Sequence, residues 1–528
     1  MMRDEFLSKN FAPKAQNLIV YSPTGKHEFD YVVTEIIKYI DNPNFGTHPR
    51  YSLNDIGIGY LFADSYKWKL RYVPERKQWY EYNGKIWAPY GDGIKEYYKH
   101  FIQMLEFRIV FINNRVRNIY MMRGDTERRV RSFINKYKSQ RSMKTILESA
   151  SSVYPVSIAE FDRDPYIFNC KNCTVNLKTG KDTRHRPQDM LTKMANVNFV
   201  PKAVCPRWIK HMEEVLLEDK DLIIYLQKAL GYALTGITRY ECFFILFGQT
   251  SRNGKGVTMN TFLHMIGDYG CNVSPDTITQ KKYFNGSAPS EDIARLVGAR
   301  FVNISEPDEN MVLSSALVKT LTGNDTITAR NLFERSFEYK PTYKIFINTN
   351  HLPTVTDRTL FDSDRVRVIP FERHFKLEKQ DTGLKDELTR PENLSGILNW
   401  CIEGLKPLVK GGFKPKDFEM PEAVKIATSK YAQDSIEKRV VGKNLRDDNI
   451  IQFIDDVLEA CPGGEVRTMS AYGHYCVWCE EKGYEPHSQK SFSQKMKIHA
   501  KLDKKRPSGN SSANPVSMII GYRFKNSV

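Results

Sequence analysis

Four short apolar runs in the middle of the chain, CFFILF (242–247), RFVNIS (300–305), YKIFINT (343–349) and VRVIPF (366–371), stand out from the helical and loop-like stretches between them. Runs of that length, rich in apolar residues, suit strands covered on both faces. Their alternation with helical material predicts an α/β fold built on a parallel sheet. In such sheets ligands bind beyond the carboxyl ends of the strands, so the residues after each run are the first place to look for chemistry.

On either side the pattern changes. Upstream, WKLRYVPERKQWYEYNGKIW (68–87) alternates aromatic and charged residues and contains Asn83-Gly84, a hairpin turn signal, which predicts a small β element. Trp68, Trp79 and Trp87 then form a small core or, less commonly, a surface on which bases stack. Residues 91–150 read as basic amphipathic helices, and 153–201 as extended and polar. Downstream, three helical segments (449–460, 469–481, 489–500) precede the strand KLDKKR, the polar turn PSGNSSANP and the strand VSMIIGYRF. Three helices and a two-stranded wing predict a winged helix-turn-helix, with Lys490, Lys495, Lys497, Lys504, Lys505 and Arg506 on its third helix and wing. Such modules bind duplex DNA; some dock proteins instead. The divisions expected are 1–150, partly helical with a small β element; 151–204, an entry segment; 205–430, the sheet domain; and 440–528, the winged helix.

At 528 residues, 41% hydrophobic and 27% charged, the chain has room for several globular domains, which excludes a fibre or a disordered tail. Its apolar runs fall far short of the roughly 18 residues a spanning helix needs. The N-terminal MMRDEFLSKNFAPK has no apolar signal stretch, so a cytoplasmic location is expected. Nine cysteines without a secretory context predict free thiols. The pairs Cys170/Cys173 and Cys476/Cys479 lack histidines at zinc-site spacing, and the second pair reads as small apolar residues on one helix face. The net charge of +16 is uneven: Arg108 to Lys144 holds eleven basic residues against Asp125 and Glu127, and Lys490 to Lys525 nine against Asp503. Nucleic acid is the natural polyanionic partner.

After the first run comes Gly248-Gln249-Thr250-Ser251-Arg252-Asn253-Gly254-Lys255-Gly256, and then a helical pattern. A glycine-rich turn between strand and helix lets backbone N–H groups face a phosphate, with Lys255 meeting its charge. The loop is one residue longer than G-x-x-x-x-G-K, and Gly256 stands where Ser or Thr would hold magnesium. After the second run, Glu306 and Asp308 offer carboxylates for magnesium or for polarising water. After the third, Asn350 is a neutral amide able to bond a phosphate or that water. Before the fourth, Arg365 stands where it could reach a neighbouring subunit's nucleotide, or pair with Asp362 or Asp364.

The stretch from Asp162 to about Phe371 resembles the C-terminal helicase half of phage and plasmid primases, a branch of the superfamily-3 helicases within the AAA+ ATPases. The resemblance rests on FDRDPYIFNCKNCTVNLKTG, MLTKMANVNFVPKAVCPRW, LQKALGYALTGITRYECFFILFG, TSRNGKG, LVGARFVNISEPDEN, the segment LVKTLTGNDTITARNLFERSFEYKPTYKIFINTNHLP, and DRVRVIPF. Cys173, where the family usually has Gly, and Gly256 depart from its pattern. The resemblance implies ATP and Mg2+ as cofactors, Lys255 as the Walker A lysine, Glu306 as the Walker B acid, Asn350 as sensor 1 and Arg365 as a trans arginine finger. It implies a ring, a hexamer by family habit, and a channel hairpin at TITARNLFERSFEYKP with Arg335 near its tip and Lys319, Arg330 and Lys340 around it. It also implies a bacterial host cytoplasm, with single-stranded DNA in the channel, duplex origin DNA on the winged helix, and host replication proteins as further partners. The function expected is an ATP-dependent DNA helicase that initiates or sustains replication of a phage or mobile element. One alternative is an origin-binding or regulatory protein whose ATPase core hydrolyses weakly. A primase-helicase is the other, and it has only Asp162-Arg163-Asp164 as candidate metal ligands.

Overall fold

The computed structural model describes residues 19–525 apart from 24, 42–47, 121–124, 281–290, 308–310, 331–335, 377, 379 and 506–514. The chain divides into two units, Met1–Pro353 with Thr359–Thr428, and Thr354–Arg358 with Ser429–Val528.

The N-terminal part contains α1 (Phe29–Asp41), α2 (Asp55–Ser65), the strands β1 (Leu70–Val73), β2 (Gln78–Tyr82) and β3 (Trp87–Pro89), then α3 (Ile94–Tyr120), α4 (Asp125–Tyr137) and α5 (Gln140–Ser151). Helix α1 buries Phe29, Val32, Val33, Ile36 and Ile37, the spacing of one helix face. They pack with Phe62, Phe101, Tyr98 and Ile146 from α2, α3 and α5. The basic stretch is partly structural: Arg108 is 3% exposed and its guanidinium grips the Asp30 carboxylate. Strands β1, β2 and β3 form an antiparallel sheet in which Tyr80, Tyr82 and Trp87 are buried, the core use of the aromatic pattern.

Next come α6 (Pro206–Val215), α7 (Lys220–Ala233), β4 (Phe243–Phe247), α8 (Lys255–Ile266), β5 (Gly270–Val273), β6 (Phe301–Ser305), α9 (Ser315–Thr322), the hairpin strands β7 (Ile327–Ala329) and β8 (Phe337–Tyr339), β9 (Lys344–Thr349), β10 (Val366–Pro370) and α10 (Pro391–Gly411). The sheet has the order β5-β6-β9-β4-β10, and every pairing is parallel. The four expected strands are its four contiguous members. Phe244 and Phe346 stack at 4.7 Å and Phe301 lies 4.9 Å from Phe346, so three adjacent strands share one aromatic layer. Because β4 lies inside the sheet and the chain crosses from it to the far edge at β5, the carboxyl end of β4 is where folds of this kind bind ligands.

Helix α11 (Glu422–Val457) ends in the second unit, followed by β11 (Leu458–Arg467), α12 (Thr468–Lys482), α13 (Gln489–His499), β12 (Lys501–Lys505) and β13 (Val516–Phe524). The sheet order is β11-β13-β12, and Phe453, Tyr475, Trp478, Phe492, Met496 and Ile519 form the core. The sequence reading carries the first helix to residue 460. It ends at Val457, and the following segment pairs with β13 across an irregularity between Ala460 and Glu465. Of the pair read as small apolar residues on one helix face, Cys479 is buried in this core and Cys476 is half-buried beside it.

Candidate nucleotide and nucleic-acid sites

The loop from Gly248 to Gly254 joins β4 to α8, whose first residue is Lys255. Arg252 and Gly254 have φ of 61° and 84°, so the backbone turns twice through the left-handed region. Only Gly does so without strain. At Gly248 a Cβ would stand 2.4 Å from the Phe371 carbonyl oxygen and 3.2 Å from Lys255 Nζ, so bare backbone is required there. Asn253 is buried and its Nδ2 donates to the Thr250 carbonyl at 2.7 Å, closing the loop on itself.

Lys255 is 4% exposed, and its Nζ donates to Asn350 Oδ1 at 2.8 Å and to the Gly248 carbonyl at 3.3 Å. Burial lowers its pKa from 10.5 to about 8. Among the described residues no carboxylate pairs with it. Asn350 follows β9, the neighbour of β4, in a register that sets Thr349 opposite Phe247. The structure thus joins two of the expected site residues directly. Glu306 follows β6 at the same edge, exposed, with φ of 52° and its N–H bonded to the Asn348 carbonyl at 2.9 Å. A non-glycine residue in that region stores strain of the kind that gathers at functional sites. Asp308 lies outside the described residues.

Gly256 has nothing within 4 Å of where a Cβ would be. Thr258 turns inward instead: its Oγ1 donates to the Gly254 carbonyl at 3.0 Å and lies 2.9 Å from His211 Nε2. Because the single Thr258 proton goes to Gly254, His211 Nε2 must carry a hydrogen and donate it to Thr258. Burial and Arg207 lower the His211 pKa to about 4, which keeps the ring neutral. Sequence reasoning missed this support, and it also missed the segment after β10. There Phe375 N–H donates to the Arg252 carbonyl at 2.9 Å and His374 Nδ1 stands 3.0 Å from the Ser251 carbonyl. Arg373, between them and Phe371, has a buried Nε without a hydrogen-bond partner.

Arg365 lies at the opposite, amino edge of the sheet, its carbonyl accepting from Phe243 N–H at 2.8 Å. One strand, about 16 Å at 3.3 Å per residue, separates that edge from the Gly248 loop. Its guanidinium pairs with Glu241 and bonds Thr322 Oγ1 at 3.1 Å, so Glu241 takes the place that Asp362 and Asp364 offered.

The hairpin expected over 326–341 has its strands in β7 and β8, pairing Ile327 with Tyr339. Arg330 is half-buried, Lys340 is exposed, and Lys319 on α9 donates to Thr359 Oγ1 at 2.6 Å. Arg335 lies outside the described residues. On α13, Phe492 and Met496 face the core while Lys490, Gln494 and Lys497 are exposed and Lys495 is half-buried. Lys504 is exposed on β12; Lys505 ends that strand, its side chain outside the described residues along with Arg506. Asp162 accepts from the Thr192 N–H at 2.9 Å and from the Thr192 hydroxyl, and Asp164 from the Tyr166 N–H at 2.9 Å, so each carboxylate already has a protein partner.

Three family models match successive stretches of the chain: "D5 N terminal like" over residues 59–217, a family of unknown function over 246–366, and "Poxvirus D5 protein-like" over 446–526. The viral protein "Putative helicase 022R" of Frog virus 3 is 29% identical over 249 residues, 43% of this chain and 23% of its own length. A protein of Acanthamoeba polyphaga mimivirus, likewise named a putative helicase, is 27% identical over 252 residues, 47% of this chain and 26% of its own. The chain therefore resembles viral proteins that bear the name helicase, and the match spans about a quarter of their lengths. Among solved structures, the apo NrS-1 C-terminal region aligns over 86% of this chain and 96% of its own at 12% identity, with a TM-score of 0.39. In the described residues no helix is long and apolar enough to cross a membrane.

Proposed function

We propose that this chain is an ATP-dependent DNA helicase of the superfamily-3, AAA+ class, working as a hexameric ring in the replication of a viral or mobile-element genome. The observation that carries the reading is the buried Lys255, held by a neutral amide and a carbonyl at the mouth of a backbone loop turned outward. A desolvated ammonium without a carboxylate is costly unless an anion completes it, and a phosphate beside a helix N-terminus does so. ATP would supply the free energy for movement along DNA, with Mg2+ offsetting its phosphate charge. In that setting the loop N–H groups and Lys255 bind phosphate, Asn350 orients, and Glu306 offers the carboxylate for the metal or for the attacking water's proton. Arg373 adds a cation on the loop side. Arg365, a strand's length from its own loop, fits contact with a neighbour's site and not with its own. The hairpin β7–β8 suits the channel, and the exposed face of α13 suits a DNA groove. The relatives' names support the same reading.

The deciding experiment is a DNA-stimulated ATPase assay with and without Mg2+, alongside strand displacement on a forked duplex. Stimulated turnover with unwinding is the expected result. Nucleotide binding without turnover would instead support an origin-binding regulator, the reading that Gly256 favours.

A further inference from the structure

Two basic side chains of the N-terminal part lie against the same pair of rings with no acidic partner bonded to them among the described residues. Arg71, on β1, is 6% exposed, and its Nη1 is buried without a hydrogen-bond partner. Its guanidinium carbon stands 5.0 Å from the Trp68 ring centroid, 5.5 Å from that of Tyr154 and 5.9 Å from that of Trp87. Lys67 Nζ is 4.5 Å from the Tyr154 centroid and 5.6 Å from that of Trp68. Cation–π contact offsets part of the cost of burying a guanidinium, but it leaves the charge uncancelled.

The acidic groups nearby are otherwise engaged. Asp64, fully buried, accepts from Arg50 Nε at 2.6 Å and Nη2 at 2.8 Å, from Tyr51 OH at 2.7 Å and from Tyr154 OH at 2.6 Å. Four bonds fill its two oxygens. Glu160 is exposed and accepts the Ser157 N–H at 3.0 Å. Desolvation lowers the Arg71 pKa to about 10 against the opposing pull of Tyr154 and Glu160. The rings are held firmly. The Tyr154 hydroxyl is also 3.0 Å from the Tyr21 carbonyl, the Val156 N–H bonds the Tyr72 carbonyl at 2.9 Å, and Trp68 meets Tyr21 edge-on at 6.4 Å. Trp68, Tyr154 and Lys67 are all half-buried, so each remains partly exposed to solvent.

Fixed aromatic faces beside uncompensated cations are what an unpaired strand needs: a π surface for the base and positive charge for its phosphate. A duplex keeps its base faces inside the stack and offers nothing to these rings. We propose that Trp68 and Tyr154 form a stacking subsite for single-stranded nucleic acid, with Lys67 and Arg71 supplying charge for the adjoining phosphate. The subsite stands apart from the ATP site, and the proposal does not rest on that reading.

The test is photo-cross-linking of the full chain to a short oligonucleotide containing 5-iododeoxyuridine, with peptide mapping. Adducts on Trp68 or Tyr154 are expected. Lys67→Glu, at a half-exposed position, should cut their yield roughly tenfold, because it turns an attraction for the phosphate into a repulsion, without changing the melting temperature. Arg71→Met, which keeps bulk and removes charge, should do the same; if it fails to fold, Lys67→Glu decides. Adducts only at other peptides, or a yield unchanged by Lys67→Glu, would overturn the proposal. Labelling of these rings by 5-iododeoxyuridine monophosphate that excess oligonucleotide does not displace would overturn it in favour of a free-nucleotide site.

Discussion

Lys255 Nζ and Asn350 Oδ1 stand 2.8 Å apart across two neighbouring parallel strands, the lysine following β4 and the amide following β9. An amide oxygen stabilises the ammonium while leaving its full charge for a phosphate. A carboxylate in the same place would form an ion pair and compete with that phosphate. Asn350→Asp should therefore weaken nucleotide binding by about tenfold or more, while the nucleotide-free protein melts no lower than the parent. Calorimetric titration with a non-hydrolysable ATP analogue and a thermal melt separate the two effects. Unchanged affinity would remove Asn350 from the site.

The lysine's depressed pKa gives a second prediction. Empty, Lys255 loses its proton near pH 8, whereas a bound phosphate favours the charged form and raises the pKa again. Binding should take up a proton above about pH 8, and affinity should fall as pH rises beyond it, by at most about tenfold per unit. Titrations in two buffers of different ionisation enthalpy would show the uptake, and Lys255→Met should abolish it. For stability the sign is opposite. Between about 8 and 10.5 the unfolded chain holds the proton and the folded chain does not, so the nucleotide-free protein gains stability as pH rises through that window.

Gly256 supplies a third. With no atom within 4 Å of a Cβ there, Gly256→Ser should fold normally and gain a few tenths of a kcal/mol from helix propensity alone. If the missing hydroxyl limits metal binding, the Mg2+ concentration for half-maximal ATPase should fall severalfold. An unchanged requirement would mean that Glu306 and its neighbours hold the metal without help from that position.

The central sheet was legible because parallel strands covered on both faces read as nearly continuous apolar runs; FFILF is of that kind, and VRVIP departs from it only at Arg367, whose buried guanidinium bonds Tyr225 OH and the Phe418 carbonyl. Strand β5 escaped because GCNV is short, sits at the sheet edge and buries only Val273. Strand β11 escaped because Cys461-Pro462-Gly463-Gly464 signals a turn, and the segment pairs only through an irregularity at that point. The Lys255–Asn350 contact could be anticipated, since both follow strands at one edge. His211 and Thr258 could not be paired from sequence, because 47 positions separate them and only the packing of α6 against the first turn of α8 brings them together.

Arg365 supplies a fourth prediction, about assembly. Arg365→Ala removes the Glu241 ion pair as well as any contact with a neighbour, so Glu241→Gln is the matched control for the internal role. A trans finger predicts a loss of roughly a thousandfold in turnover for Arg365→Ala and little for Glu241→Gln. Mixing Arg365→Ala with Lys255→Ala subunits should restore part of the rate by creating sites with both groups intact. Equal losses in the two Arg365 and Glu241 variants, with no recovery in rings shown to contain both subunit types, would assign Arg365 to the amino edge of its own sheet.

The last prediction concerns α13. Phe492 and Met496 anchor it in the core of the second unit, which leaves Lys490, Gln494 and Lys497 on the outward face at the spacing of successive helical turns. A helix presented this way to the major groove would use its lysines on phosphates and the glutamine on a base edge. In the full chain, Lys490→Ala with Lys497→Ala should weaken duplex binding for every sequence. It should also flatten the slope of log K against log salt by about 1.8, two phosphates at about 0.9 each. Gln494→Ala should leave that slope alone and change which sequences are preferred, by about 1–3 kcal/mol at one base pair. The two variants differ in kind, so the assay is a salt series on a small panel of duplexes and not a single affinity. If neither variant moves slope or preference while the fold is intact, the basic face of α13 does not contact duplex DNA and the second unit is a protein-docking module.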